Sequence, residues 1–218
     1  MTAKKNYSYI GISFIILIFG IWAVPKIVAK MSESELAFIT DPNKEPAVVP
    51  SFSFTNQHGQ IVTNEDYKGK VYVAEFFFTT CPSICPIMNR NMVKIQNEFF
   101  GNPNFGIASY TINPEYDTPK ILREYAESYK ITHPNWHLLT GEKKDIYQLA
   151  NVGFNLYVGE APEVDGGFEH SGFFALIDKE GRIRSRYDEH GNPMIYYDGL
   201  EDDGIRMITE DIQLLLNE

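Results

Sequence analysis

The chain has 218 residues, with 19 basic and 29 acidic side chains and a formal net charge of −10. That length suits one ordinary domain plus an appendage, and the acidity argues against nucleic acid or anionic lipid as a partner. Two cysteines are too few for a disulfide-stapled secreted scaffold.

The appendage comes first. From Asn6 to Pro25 no residue is charged and most are Ile, Phe, Leu, Gly or Val. As a helix this run extends roughly 30 Å, close to the hydrocarbon thickness of a bilayer. Lys4 and Lys5 precede it, and Lys26 and Lys30 follow. The short basic end is expected to stay in the cytoplasm while the large C-terminal part crosses. A retained single transmembrane helix is favoured over a cleavable signal peptide, because Ile27-Val28-Ala29 is a poor cleavage site. No cysteine lies near the run to carry a lipid. The first thirty residues hold four lysines and no acid, so residues 31–218 carry 15 basic against 29 acidic groups, about −14. Simple solubility explains such a surface, which also suits cationic metals or a basic protein.

Residues 31–50 are polar, contain Pro42, Pro46 and Pro50, and lack periodicity, which predicts a tether between an anchor at 1–30 and a domain at 51–218. Phe52-Ser53-Phe54, a turn at Gln57-His58-Gly59-Gln60 and Ile61-Val62 predict an N-terminal hairpin. The apolar run Val71 to Phe78 predicts a central strand buried on both faces. Met88, Met92, Ile95 and Phe99 then share one helical stripe, with Pro86 at the first helical position and Cys85 near the N-cap. Core packing is the expected role of both methionines. Phe105 to Ile112 reads as a strand, and Asp117-Thr118-Pro119 as the start of a helix through Ile121, Leu122, Tyr125 and Tyr129. A short strand at Trp136–Leu139 and a helix from Glu142 to Asn151 follow. Phe173–Ile177 and Arg182–Tyr187 form a hairpin, and Ile205, Ile208, Ile212 and Leu215 mark a closing helix. Strands alternating with helices give an α/β fold of thioredoxin-like architecture, preceded by the membrane helix.

Cys81 and Cys85 sit at the strand-to-helix turn Phe78-Thr79-Thr80-Cys81-Pro82-Ser83-Ile84-Cys85-Pro86. A structural bridge there would close a loop too short to constrain much of the chain. A functional pair, able to form a redox-active disulfide or grip a soft metal, is the better reading. Three intervening residues, where a Cys-x-x-Cys pair has two, let both sulfurs enter one pocket, and such thiolates favour Cu(I), with zinc second. A third ligand is then sought among five histidines. His58 and His190 lie in turns and are expected to be solvated; His133 precedes a proline, and His137 lies in a short strand where packing is the expected role. His170 follows the glycine-rich approach Gly166-Gly167-Phe168-Glu169 to the mouth of a strand.

The run Phe78 to Met88 resembles the signature of the Sco/SenC family, copper-delivery proteins for cytochrome c oxidase assembly. Asn113-Pro114-Glu115-Tyr116-Asp117-Thr118-Pro119 is similar to that family's Asp-Pro-x-x-Asp-Thr-Pro segment. Leu139-Thr140-Gly141, His170-Ser171, Leu176 to Gly181 and Tyr197-Asp198-Gly199 resemble further family elements in order, over about residues 50–216. The resemblance implies copper, as Cu(I) or Cu(II), held by Cys81, Cys85 and His170. Asp117 and Glu169 are then candidates for orienting or tuning those ligands. Asn113 and Glu169 stand where aspartates are usual, and Ser83 where an acid is frequent; none of these departures removes a ligand.

The implied function is a membrane-anchored copper metallochaperone, which is no enzyme of its own. It passes copper to, or prepares, the copper-containing subunit of cytochrome c oxidase, with an upstream copper donor and a thiol reductant as further partners. The implied location is the bacterial inner membrane, single-pass, with the C-terminal domain on the periplasmic side. The competing reading is an exported thiol-disulfide reductase acting on the oxidase cysteines through the same pair. A peroxidase fits less well, because peroxidatic sites use an isolated activated cysteine.

Overall fold

The computed structural model describes residues 13–14, 17–24, 36–163 and 166–218. Two compact units emerge, Met1–Glu35 with Glu218, and Leu36–Asn217. In the first, residues 17–24 are helical. Much of the expected membrane span lies outside the described residues, and among the described residues no helix is long and apolar enough to cross a membrane.

The second unit is built in chain order from β1 (Ala37–Phe38), β2 (Ser53–Asn56), β3 (Ile61–Thr63), a one-turn helix α1 (Asn64–Tyr67), β4 (Val71–Phe77), α2 (Cys85–Glu98), β5 (Phe105–Thr111) and α3 (Pro119–Tyr129). There follow β6 (Trp136–Thr140), α4 (Lys143–Gln148), a π-helical turn (Leu149–Gly153), β7 (Val158–Glu160), β8 (Phe168–His170), β9 (Phe173–Ile177), β10 (Ile183–Ser185), β11 (Tyr197–Asp198) and α5 (Asp202–Asn217). The main sheet runs β1-β10-β9-β4-β5-β6-β2-β3, with β11 beside β9; β7 and β8 pair only with each other. At its centre β4, β5 and β6 are parallel, joined by helical crossovers. The expected hairpin is β2–β3, added antiparallel to the β6 edge.

The predicted tether differs from the structure. From Leu36 onward the chain is folded, with Ala37 opposite Ser185 and Phe38 opposite Arg184. Leu36 and Val49 are buried in the core, and the guanidiniums of Arg182 and Arg184 lie 4.8 and 4.0 Å from the Phe38 ring centroid. Partners about 145 residues away in sequence leave no local periodicity to read.

Strand alternation sorts the core into two layers. On one face Tyr72 and Phe76 of β4 and Tyr110 of β5 meet Phe52, Phe54, Tyr67 and Phe154, with Phe76 and Tyr110 stacked at 5.2 Å. On the other, Phe77 meets Tyr125 of α3 and Phe105 meets Phe99 at the end of α2. Met88 and Met92 are fully buried there, in the packing role expected of them.

Glu75 interrupts this second layer. It is wholly buried in β4, accepts a 2.6 Å hydrogen bond from Ser109 Oγ, and leaves Oε2 without a partner among the described residues. Burial raises its carboxyl from 4.5 to about 7, against the Ser109 hydroxyl, which lowers it. In the unfolded chain the group ionises near its ordinary value while the folded chain still holds the proton, so stability falls as pH rises from about 4.5 to 7. The full loss, about 3 kcal/mol, is present above the folded value and absent below the unfolded one. Glu75→Gln should abolish it, so urea midpoints of variant and wild type should diverge in the variant's favour between pH 4 and pH 8.

Candidate metal centre

The site forms where β4 ends and α2 begins. Cys85 is the first residue of α2, with Ile84 at the N-cap and Pro86 next. The helix thus begins one residue earlier than expected, and the proline still occupies a first-turn position where its missing N–H removes no helical bond. The three residues between the cysteines fold the loop back, so that Cys85 N–H donates to Cys81 Sγ at 3.5 Å. An unpaired N–H of a helix start thereby serves a sulfur.

The two thiols divide their roles. Cys81, less deeply covered, is held well below the ordinary thiol range, chiefly by its hydrogen bond with Cys85 and further by His170. Cys85 is driven upward by burial first and by its sulfur neighbour second. In the reduced state this is one thiolate beside one thiol, and both cysteines are free.

His170 arrives from the other side, on β8. Its Nε2 lies 3.1 Å from Cys85 Sγ and 3.9 Å from Cys81 Sγ. Its Nδ1 faces the Ser171 carbonyl at 3.1 Å, and because a carbonyl can only accept, Nδ1 carries the proton. Nε2 therefore turns its lone pair toward the sulfurs. The imidazole also meets the Phe78 ring edge-on at 5.5 Å, and Phe168 packs on the same ring at 5.2 Å. Gly166, at φ +94°, passes so near that a Cβ would come within 3.0 Å of Phe78 Cζ and 3.1 Å of Pro82 Cδ. Only glycine combines that backbone with that approach.

Cys81, Cys85 and His170 thus offer three donor atoms, all within 4.8 Å of one another. Bonds of about 2.0 Å to nitrogen and 2.3 Å to sulfur around one ion require donors roughly 4 Å apart. The residues fit a soft three-coordinate metal ion once the Cys85 sulfur and the His170 nitrogen, now 3.1 Å apart, separate by about 1 Å or slightly less.

Asp117 is buried but is not one of the converging donors. Thr118, not Asp117, caps α3, its hydroxyl accepting from Ile121 N–H at 3.4 Å. Asp117 turns inward, accepting from Thr79 N–H at 3.1 Å and from the hydroxyls of Thr79 and Thr111. It pins the chain two residues before Cys81. Sequence reading had no signal for the two threonines, which meet Asp117 only through the β4–β5 pairing. Glu169 is exposed, and strand alternation turns it to the face opposite His170. Of the other histidines, His58 and His190 are exposed as expected. His137 Nδ1 faces Asn56 Nδ2 at 3.3 Å, and buried His133 accepts from Asn135 N–H. None joins the cluster.

A parallel-centred α/β sheet with a dithiol at the β4–α2 turn, met by an imidazole from β8, defines a thioredoxin-like domain with a donor set suited to a soft metal. The chain belongs to the SCO1/SenC family, which it matches over residues 40–202. It is 34% identical over 142 residues to the SCO1 protein homolog of Bacillus subtilis, covering 64% of this chain and 73% of that one. Among solved structures it resembles BsSco, a member of the Sco family of cytochrome c oxidase assembly proteins in which a disulfide switch was identified. Identity there is 32% and the TM-score 0.64, with 80% of this chain and 95% of that one covered. Yeast Sco1 with copper bound is 25% identical with a TM-score of 0.58, over 77% of this chain and 90% of that one.

Proposed function

We propose that this protein is a copper carrier for cytochrome c oxidase assembly, binding one copper ion through Cys81, Cys85 and His170. The observation that carries this reading is the convergence of two sulfurs and one imidazole nitrogen within 4.8 Å. A set of soft donors selects Cu(I) among the metals reaching an exported protein, and copper bound to yeast Sco1 supports the choice. The protein binds and hands over its cargo with no turnover of its own. The recipient is the copper-containing oxidase subunit; an upstream copper donor loads this protein in turn, and a thiol reductant keeps its cysteines competent. Asp117 serves by holding the cysteine loop in place. The first thirty residues anchor the chain as a single span in the bacterial cytoplasmic membrane, leaving the folded unit on the outer side.

A second reading, thiol-disulfide reductase, is favoured by the pairing of a depressed thiol with a protonated neighbour, the arrangement suited to attack and then resolution. The two separate at His170. Titration of the reduced protein with Cu(I) under argon should saturate at one equivalent, and His170→Ala should weaken binding at least about 10-fold. No uptake, or unchanged affinity in the variant, refutes the carrier; a variant that still reduces protein disulfides at the wild-type rate favours the reductase.

A further inference from the structure

The strand bearing His170 belongs to a two-stranded ribbon outside the main sheet, so something else must hold it against the sulfurs. At its foot Asn151 bonds both backbone groups of Val158, at 3.0 and 3.1 Å, and Val158 is the partner of His170. Two rungs further out, Glu160 faces Phe168. Both members of that rung converge on one side chain of α4: Lys143 Nζ pairs with the Glu160 carboxylate and lies 5.7 Å above the Phe168 ring. The same ammonium lies 3.8 Å from Glu115, in the turn that leads to Asp117, and 5.7 Å from the Tyr147 ring. Phe168 and His170 sit on one face of β8, and both press on Phe78, three residues before Cys81.

We propose that Lys143 is a positioning residue, a latch that holds the β7–β8 ribbon closed and thereby keeps the His170 ring over the two sulfurs. The proposal rests on the carrier reading for its use, though not for its geometry. Its carboxylate partners are largely exposed, at 59% for Glu160 and 78% for Glu115, so the ion pairs are weak and screened by salt. That weakness suits a carrier. A ligand held by a few contacts of this kind can swing away when a recipient competes, whereas one on the main sheet cannot. Glu160 also raises the affinity of Lys143 for its proton, so the ammonium stays charged throughout the neutral range.

The test uses Lys143→Met, which keeps an apolar stem against the rings and removes the charge, and the exchange Lys143→Glu with Glu160→Lys. In a Cys81→Ser background only Cys85 can react with iodoacetamide, so its alkylation in reduced, metal-free protein reports how well the ribbon covers it. Lys143→Met should speed alkylation about 5-fold, the combined effect of one exposed ion pair and one cation–π contact. The exchange should return it most of the way. Wild-type protection should weaken in 1 M salt, and that of Lys143→Met should not change. With Cys81 restored, Cu(I) transfer to a chelator should accelerate in Lys143→Met by a similar factor. Alkylation indifferent to Lys143→Met, an exchange without rescue, or protection indifferent to salt would each overturn the latch. If alkylation responds as expected but no copper is bound, the latch stands and the carrier reading fails.

Discussion

Cys85→Ala is expected to abolish tight copper binding while leaving the domain folded. Loss of an outer partner of a metal ligand commonly costs 10- to 100-fold, so loss of a ligand itself should exceed about 100-fold. Cys85 is the critical member because it touches both others: its Sγ is 3.1 Å from His170 Nε2, and its N–H serves Cys81 Sγ. The stability cost is smaller, since alanine removes one buried sulfur and leaves its backbone N–H in place; about 1 kcal/mol is the scale. A second consequence needs no metal. The largest influence holding Cys81 in its thiolate form is the hydrogen bond with Cys85. In Cys85→Ala the ionisation of Cys81 should therefore shift toward the ordinary thiol range, read as a rise in the midpoint of ultraviolet thiolate absorbance against pH. Stoichiometric copper binding by the variant, with sulfur-to-copper charge transfer intact, would remove Cys85 from the site.

Gly204→Ala should be among the most damaging single substitutions in the folded unit, although it replaces a poor helix former with the best one. In an exposed helix interior that exchange gains about 1 kcal/mol. Here a Cβ would lie 2.0 Å from the Asp198 carbonyl oxygen and within 2.9 Å of two more backbone atoms of β11. A backbone cannot rotate out of the way as a side chain can, so α5 must shift. The shift disturbs what α5 holds: Asp211 takes a 2.6 Å hydrogen bond from buried Tyr197 and two from Arg186. Overpacking typically costs 1–3 kcal/mol, and obstruction by main chain belongs at the top of that range or above it. Net of propensity, a loss of roughly 3 kcal/mol would lower the melting temperature by about 10 °C for a unit of this size. A variant as stable as wild type by thermal melting would show that α5 and β11 are not packed as described.

Most of the fold could be read from local pattern. The nearly continuous apolar run of β4, the helical stripe Met88-Met92-Ile95-Phe99 and the stripe of α5 each satisfy a burial requirement within a short stretch of chain. What escaped were elements whose reason for existing is elsewhere in the chain. β1 is two residues long and forms because β10 offers it an edge; β11 is a similar addition to β9; β7 and β8 form a ribbon apart from the main sheet, supported by Asn151, Lys143 and Phe78. Glu75 sat unnoticed in an apolar run because its partner, Ser109, belongs to the neighbouring strand.

The same division runs through the site. By itself the amino-acid order determined that two sulfurs lie at a strand-to-helix turn, since the apolar run, the prolines and the helical stripe around them are contiguous. It also marked His170, through the company the histidine keeps. Only the tertiary structure decided that this ring, 85 residues beyond Cys85, meets both sulfurs, that Asp117 turns inward to Thr79 while Thr118 caps the helix, and that Lys143 grips the ribbon. The physical reason is range. Propensity and periodicity act over a few residues, whereas a site is an arrangement of side chains brought together by burial of a shared core, which no short window contains.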